Sequence, residues 1–125
     1  MKKYKKNYMN LISKGRINIQ VSINNIIITF TDLDGQVIYW SSAGTSGFRG
    51  TRKGTPYAAQ ITGYNMIHKL SEYGINNIEI FIKGLGFGRE ASLRTFHLNG
   101  ISINFIQDKT SISHNGCRSP KKRRV

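Results

Sequence analysis

Three cationic side chains stand within five positions of a glycine-rich segment, residues 40–60 of the chain. They are Arg49, Arg52 and Lys53, and charged groups at this spacing are suited to bind phosphate oxygens. Phe48 lies beside them and is suited to stack on an unpaired nucleotide base. Glycines at positions 44, 47, 50 and 54 leave backbone N–H groups open to a close ligand. The segment predicts a site for a phosphate-bearing polymer, with a flexible, solvated loop as the alternative.

A second glycine-rich segment spans residues 83–90, KGLGFGRE. Its Gly-x-Gly-x-Gly rhythm differs from the dinucleotide pattern Gly-x-Gly-x-x-Gly and from the phosphate loop that ends Gly-Lys-Ser/Thr. Lys83 and Arg89 flank the glycines, so we expect phosphate contact here without a bound mononucleotide. No small-molecule substrate or cofactor is predicted.

A third segment, residues 113–125, reads SHNGCRSPKKRRV and combines a turn signal, Asn115-Gly116, with a basic end. We expect the basic end to become ordered only against a polyanion. His114 and Cys117 are two possible metal ligands, but a structural zinc site needs four, and Cys117 is the single cysteine, so no metal is predicted.

Positive charge is segregated along the chain, whose net charge is +13. Residues 1–16, 49–53 and 118–124 carry fourteen of the nineteen Lys and Arg residues, and the remaining 97 positions are close to neutral. Such clustering predicts nucleic acid as the partner. No apolar run approaches the roughly 20 residues of a membrane-spanning helix, and residues 1–16 lack the apolar core of a signal peptide. No membrane contact is expected.

Catalytic chemistry finds little support among the six acidic residues. Asp32 and Asp34 lie in a predicted turn, where aspartate is favoured for local hydrogen bonds. No Ser-His-Asp or Cys-His arrangement can be argued from the sequence. We therefore predict that the chain is not an enzyme and has no catalytic residues.

The elements that must position these segments begin with three strands. Residues 17–23, INIQVSI, alternate apolar and polar side chains and predict a strand with one buried face. Asn24 and Asn25 predict a tight turn with positive φ, followed by a return strand over residues 26–31. An Asp-Gly turn then leads to a third strand, residues 36–42, whose apolar residues on both faces predict a central position in the sheet.

The second half of the chain predicts two helices and two strands. A helix should begin after Thr55, an N-cap followed by Pro56, and should end at Gly74. Gly63 in its apolar stripe indicates close approach to the sheet. Residues 77–83, 89–99 and 101–107 predict a strand, a short helix and a final strand.

The order βββαβαβ predicts an α/β fold with a mixed five-stranded sheet and two helices packed on it. The predicted organisation is a basic N-terminal arm (residues 1–16), an α/β domain (residues 17–108) and a basic C-terminal tail (residues 109–125).

Four separated motifs resemble the small-subunit ribosomal protein S-eleven family, in that family's order and spacing. They are INIQVSINNIIITFTDLDGQVIYWSSAG, GFRGTRKGTPYAAQ, KGLGFGRE and HNGCRSPKKRRV. The resemblance implies a structural ribosomal protein that binds small-subunit rRNA at the platform, near the mRNA exit path, beside neighbouring small-subunit proteins. Leu85 and Ser119 stand where the family usually has proline, which implies a less rigid turn and tail.

The predicted rRNA-binding residues belong to the hairpin turn, the basic loop, the glycine turn and the tail. The full set is Arg16, Asn24, Asn25, Ser42, Gly44, Phe48, Arg49, Gly50, Arg52, Lys53, Thr55, Lys83, Gly84, Gly86, Gly88, Arg89, His114, Asn115, Gly116, Cys117, Arg118, Lys121, Lys122, Arg123 and Arg124.

The abundance of Ile, Asn and Lys indicates an A/T-rich coding sequence, and the TRKGTPYAAQ and PKKRRV motifs resemble plastid members of the family. A plastid is therefore favoured over a mitochondrion, and the cytoplasm of an A/T-rich bacterium stays open. Two other functions also stay open: a nucleic-acid-binding protein outside the ribosome, and an RNA-processing enzyme.

Overall fold

The computed structural model describes residues 14–124, so most of the predicted N-terminal arm lies outside the described residues. The strands are β1 (Lys14–Val21), β2 (Ile26–Thr31), β3 (Val37–Ser42), β4 (Asn77–Lys83) and β5 (Ser102–Asp108). The helices are α1 (Pro56–Tyr73) and α2 (Gly88–Leu98), and a short 3-10 turn covers Gly50–Gly54. The order βββαβαβ is confirmed. Strand β1 begins three residues before the predicted start, so Arg16 lies in the sheet.

The five strands form one mixed sheet in the order β3-β2-β1-β4-β5. Strand β1 pairs antiparallel with β2 and parallel with β4, and β4 pairs parallel with β5. The prediction that β3 is central is wrong, because β3 pairs with β2 alone and forms an edge of the sheet. The prediction assumed that the apolar side chains on both faces of β3 are buried, but Val37 and Trp40 are exposed.

One face of the sheet supplies the core. Alternate residues of β1 and β4 are buried there, as the two-residue periodicity predicted: Ile17, Ile19, Val21, Ile78, Ile80 and Ile82. Full burial of each such side chain stabilises the fold by roughly 1.5–3 kcal/mol. Both helices contribute to the same core, since Met66, Leu70 and Phe96 are fully buried in it. Within residues 14–124, the opposite face of the sheet carries no helix.

Helix α1 begins and ends where the sequence predicted. The Thr55 hydroxyl accepts a hydrogen bond from the Ala58 N–H at 3.2 Å, and Pro56 occupies the first helical position. Gly74 ends the helix with φ of 72°. The predicted approach of Gly63 to the sheet is wrong, because Gly63 faces helix α2. A Cβ at this position would lie 3.1 Å from Cγ2 of Thr95.

The turn between β1 and β2 differs from the predicted one. Within residues 14–124, Asn115 is the only residue other than glycine with a positive φ, so Asn24 and Asn25 do not adopt that conformation. Side chains close the turn instead. The Ser22 hydroxyl accepts from the Asn25 N–H at 3.1 Å, and the Asn25 side-chain oxygen accepts from the Ile26 N–H at 2.9 Å.

The second turn follows the prediction more closely. Asp32 is buried, and its carboxylate accepts a hydrogen bond from the Gln36 N–H at 2.8 Å. Gly35 provides the positive φ, 91°, that the Asp-Gly signal indicated. No helix within residues 14–124 is long and apolar enough to cross a membrane.

Candidate nucleic-acid interface

Three segments that are far apart in sequence meet at one end of the sheet: the hairpin turn (residues 22–25), the basic loop (residues 48–55) and the glycine turn (residues 84–88). A Cβ at Gly54 would clash with the Ile23 carbonyl oxygen, and one at Gly84 would clash with that of Val21. The crevice between the three segments is lined by Ser22, Asn25, Ile26, Lys53, Gly54, Thr55, Ala59 and Gly88.

The glycines of the glycine turn have a packing role within the protein. A Cβ at Gly86 would lie 2.6 Å from the Ser22 carbonyl oxygen, and a Cβ at Gly88 would lie 2.8 Å from Cβ of Ala59. These distances are far shorter than van der Waals contact. The family resemblance implies that these glycines contact rRNA, which stays a prediction, and in the structure their close neighbours are the protein's own hairpin turn and helix.

The cations of the basic loop face outward. Arg49 and Arg52 are exposed and Lys53 is half-buried. Within residues 14–124 none of the three forms an ion pair with an acid. Three uncompensated charges in five positions create a local positive potential that favours a polyanion.

The turn that precedes the basic loop, residues 42–47, is tied to the protein by hydrogen bonds. Ser42 is buried, and its N–H donates to the Thr45 hydroxyl at 2.8 Å. The Asn65 side chain of α1 donates to the Ser46 hydroxyl at 2.9 Å. Gly44 lies within this bonded turn, and Gly50 has φ of 57° at the start of the 3-10 turn. These contacts fix the chain where it enters the basic loop.

Phe48 is less free than the sequence suggested. Its ring is half-buried against the core and meets the Tyr57 ring edge-on, with the ring centroids 5.8 Å apart. Tyr57, in the first turn of α1, is 63% exposed and was missed by the sequence reading. Its position two residues after the N-cap was the available signal, because a side chain in the first helical turn lies beside the preceding loop.

Arg89 is engaged within the protein, in contrast to the loop cations. Its guanidinium donates to the Gly84 carbonyl oxygen at 3.0 Å and to the Asp108 carboxylate at 2.6 Å. Hydrogen bonds from Thr110 and then from Arg89 lower the pKa of Asp108 to about 2. Arg89 therefore joins the glycine turn to the end of β5, and Lys83 beside it is exposed without an ion pair among residues 14–124.

Arg16 is also paired, with the Glu79 carboxylate at 3.3 Å, and its guanidinium lies 5.6 Å from the centre of the Phe81 ring. Asn24 is exposed at the tip of the hairpin turn, and Asn25 is half-buried beneath it. Thr55 caps α1 at the edge of the crevice.

The C-terminal tail leaves the domain beside the glycine turn. The Lys109 N–H donates to the Ile82 carbonyl oxygen at 2.8 Å, and the Gly84 N–H donates to the Thr110 hydroxyl at 3.2 Å. Beyond these contacts residues 111–124 are exposed and have no helix or strand. The predicted tail residues are all exposed: His114, Asn115, Gly116, Cys117, Arg118, Lys121, Lys122, Arg123 and Arg124.

The predicted Asn115-Gly116 turn is present, since Asn115 has φ of 71°. In the described part of the chain no group of three or more His, Cys, Asp and Glu side chains is arranged to hold a metal ion. Cys117 is a free, exposed thiol. The arrangement offers cations and hydrogen-bonding groups for an anionic polymer.

Comparison with known proteins identifies the family. The sequence profile of the family described as Ribosomal protein S11 matches residues 15–124. The chain belongs to the ribosomal protein S11 family. The resemblance drawn from the four motifs is thereby confirmed.

The relatives of this ribosomal protein S11 family member include three plant proteins, each called small ribosomal subunit protein uS11c. The one from Phalaenopsis aphrodite subsp. formosana is 57% identical over 114 residues, which cover 91% of this chain and 83% of the relative. The one from Phaseolus vulgaris is 56% identical over 120 residues, 96% of this chain and 87% of the relative. The one from Lotus japonicus is 54% identical over 118 residues, 94% and 86% respectively.

Proposed function

We propose that this chain is a structural protein of the small ribosomal subunit of a plastid, and that it binds rRNA through the basic loop, the hairpin turn and the C-terminal tail. Membership of the ribosomal protein S11 family and the uS11c relatives support the ribosomal role and the plastid location. The single observation that carries the interface is a group of cations that form no ion pair among residues 14–124, Arg49, Arg52 and Lys53, at the end of the sheet where the segments meet.

The mechanism is neutralisation of phosphate charge at fixed positions. A rigid sheet and a bonded loop hold the cations in one geometry, so each phosphate contact avoids much of the cost of ordering a free segment. The tail adds five cations in residues 118–124, which we expect to become ordered on RNA. The rigid domain therefore binds RNA in a defined orientation, and the tail extends into folded RNA.

Contacts with neighbouring ribosomal proteins and proximity to the mRNA exit path also belong to this proposal. The family resemblance supports them, and the exposed apolar side chains of helix α2 and the tail, Leu98 and Ile112, offer surface for protein contacts.

Incorporation into the small subunit tests the proposal directly. We expect the double variant Arg49→Ala/Arg52→Ala to be strongly depleted from small subunits in sucrose gradients of reconstituted particles. The matched control is Lys69→Ala/Arg94→Ala, which removes two cations of the helices that are each paired with a glutamate. It should incorporate like the unchanged protein. Equal incorporation of both variants would show that the loop does not bind rRNA. Intact protein that sediments apart from small subunits would indicate a role outside the ribosome.

A further inference from the structure

The sheet face that carries no helix has an unusual set of side chains. The register of the strands places five residues in one row across all five strands: Trp40, Thr29, Asn18, Phe81 and Gln107. The next row contains Ser42, Ile27, Gln20 and Lys83. Most of these residues are polar and uncharged, and they offer hydrogen-bond donors and acceptors on a nearly flat surface.

The charges on this open face do not balance. Arg16 and Glu79 neutralise each other at 3.3 Å. Lys83 and Lys109 line the same hollow with Asn18, Gln20, Thr29 and Phe81, and no acid lines it. The Lys109 ammonium lies 4.0 Å from the centre of the Phe81 ring, which holds this cation over the face. Two like charges in one hollow repel each other, so an anion between them is stabilised.

Trp40 provides an aromatic surface at the edge of the same face. It is the single tryptophan of the chain and is 55% exposed. An indole ring exposed to this degree, on a face that also carries hydrogen-bonding side chains, is suited to stack on an unpaired base.

The open face is continuous with the proposed interface. The hollow around Lys83 and Lys109, about 110 Å³, adjoins a groove of about 380 Å³ that also contains Gln20 and Lys83. The groove reaches Ser22 and Asn25 of the hairpin turn and Gly84 of the glycine turn. RNA bound at the end of the sheet therefore has a path across its face.

We propose that this open face is a second RNA contact, in which Trp40 stacks on an unpaired base and Lys83 and Lys109 bind phosphates further along the same RNA strand, because β3 and β4 are three strand spacings, about 14 Å, apart in the sheet. This inference rests on the proposed function, because it assigns a further surface to the same RNA ligand. RNA is favoured over a protein partner since, among residues 14–124, the hollow is lined by two cations and by no acid. An acidic peptide is the competing occupant that the tests must distinguish.

The native tryptophan gives the first test. Titration of the full chain with a single-stranded oligoadenylate of about 12 nucleotides should quench its emission, because a stacked base contacts the indole directly. Lys83→Ala/Lys109→Ala should weaken this binding about tenfold and reduce the slope of log affinity against log salt by about 1.4, which corresponds to two phosphate contacts.

A matched variant isolates the open face from the rest of the protein. Lys69→Ala/Arg94→Ala removes the same charge from the helix layer and should leave the quenching curve unchanged. Absence of quenching by the oligonucleotide, or equal weakening by both lysine-face and helix-face variants, would overturn the inference. Quenching by polyglutamate but not by RNA would overturn it in favour of a protein partner.

Assembled particles give the second test. A photoreactive benzophenone side chain in place of Trp40 should cross-link to rRNA in reconstituted small subunits. Cross-links to protein alone, or none, would contradict the assignment while leaving the proposed function intact. Failure of the unchanged chain to sediment with small subunits would remove both proposals together.

Discussion

The basic loop and the glycine turn look alike in sequence, since each combines glycines with cations, yet they do different things in the structure. In the loop, Arg49 and Arg52 are exposed and unpaired among residues 14–124, and the positive φ of Gly50 occurs in open space. In the glycine turn, Arg89 is bound to Asp108, and Gly84 is pressed against β1. Whether a cation is available to bind a ligand therefore depends on acids elsewhere in the chain. The role of a glycine depends on the residues that pack against it.

The largest expected effect is a difference in the loss of stability between substitutions at Gly84 and at Gly50. Gly84→Ala adds a Cβ that clashes with the Val21 carbonyl at a residue with φ of 99°, so overpacking adds to backbone strain. We expect a loss of about 3 kcal/mol in the free energy of unfolding, with about 1 kcal/mol for Gly50→Ala, where nothing lies within 4 Å. Denaturant unfolding measures both. Equal losses would mean that the glycine turn is not constrained by packing.

The next effect is a difference in RNA binding between substitutions at Arg52 and at Arg89. Arg52→Ala should reduce the slope of log affinity against log salt by about 0.7–0.9, the value for one phosphate contact. Arg89→Ala should change that slope less, because its guanidinium is already bonded to Gly84 and Asp108. Filter binding to small-subunit rRNA at several salt concentrations makes the measurement. A larger change for Arg89→Ala would reverse the comparison.

The smallest effect concerns the pH dependence of the hydrogen bonds that Thr110 and Arg89 donate to Asp108. The pKa of Asp108 is lowered from 3.8 to about 2 in the folded protein, so its ionised form is favoured there. The stabilisation is present above pH 3.8 and is lost as the pH falls towards 2. Asp108→Asn should therefore flatten the fall in thermal stability across that interval, and we expect a small effect because the carboxylate is exposed. An unchanged pH profile would show that the hydrogen bonds to Asp108 do not contribute to thermal stability.

Local signals accounted for most of the fold. The alternation in β1 and β4, the Thr55-Pro56 start and the Gly74 end of α1 were all confirmed, because each depends on neighbours in sequence. The wrong predictions concern features that depend on residues distant in sequence. The edge position of β3 depends on β4 pairing with β1, and the contact of Gly63 with Thr95 depends on how the two helices pack.

The sequence by itself determined the order of the elements, the segregation of positive charge and the motifs of the family, since these are written in residue types and spacing. The tertiary structure decided which cations remain available. Asp108 lies 19 positions after Arg89 and reaches it because the parallel pairing of β4 and β5 brings the end of β5 beside the glycine turn. The open face also depends on strand register, because four strands must pair before Trp40 and Lys83 share one surface.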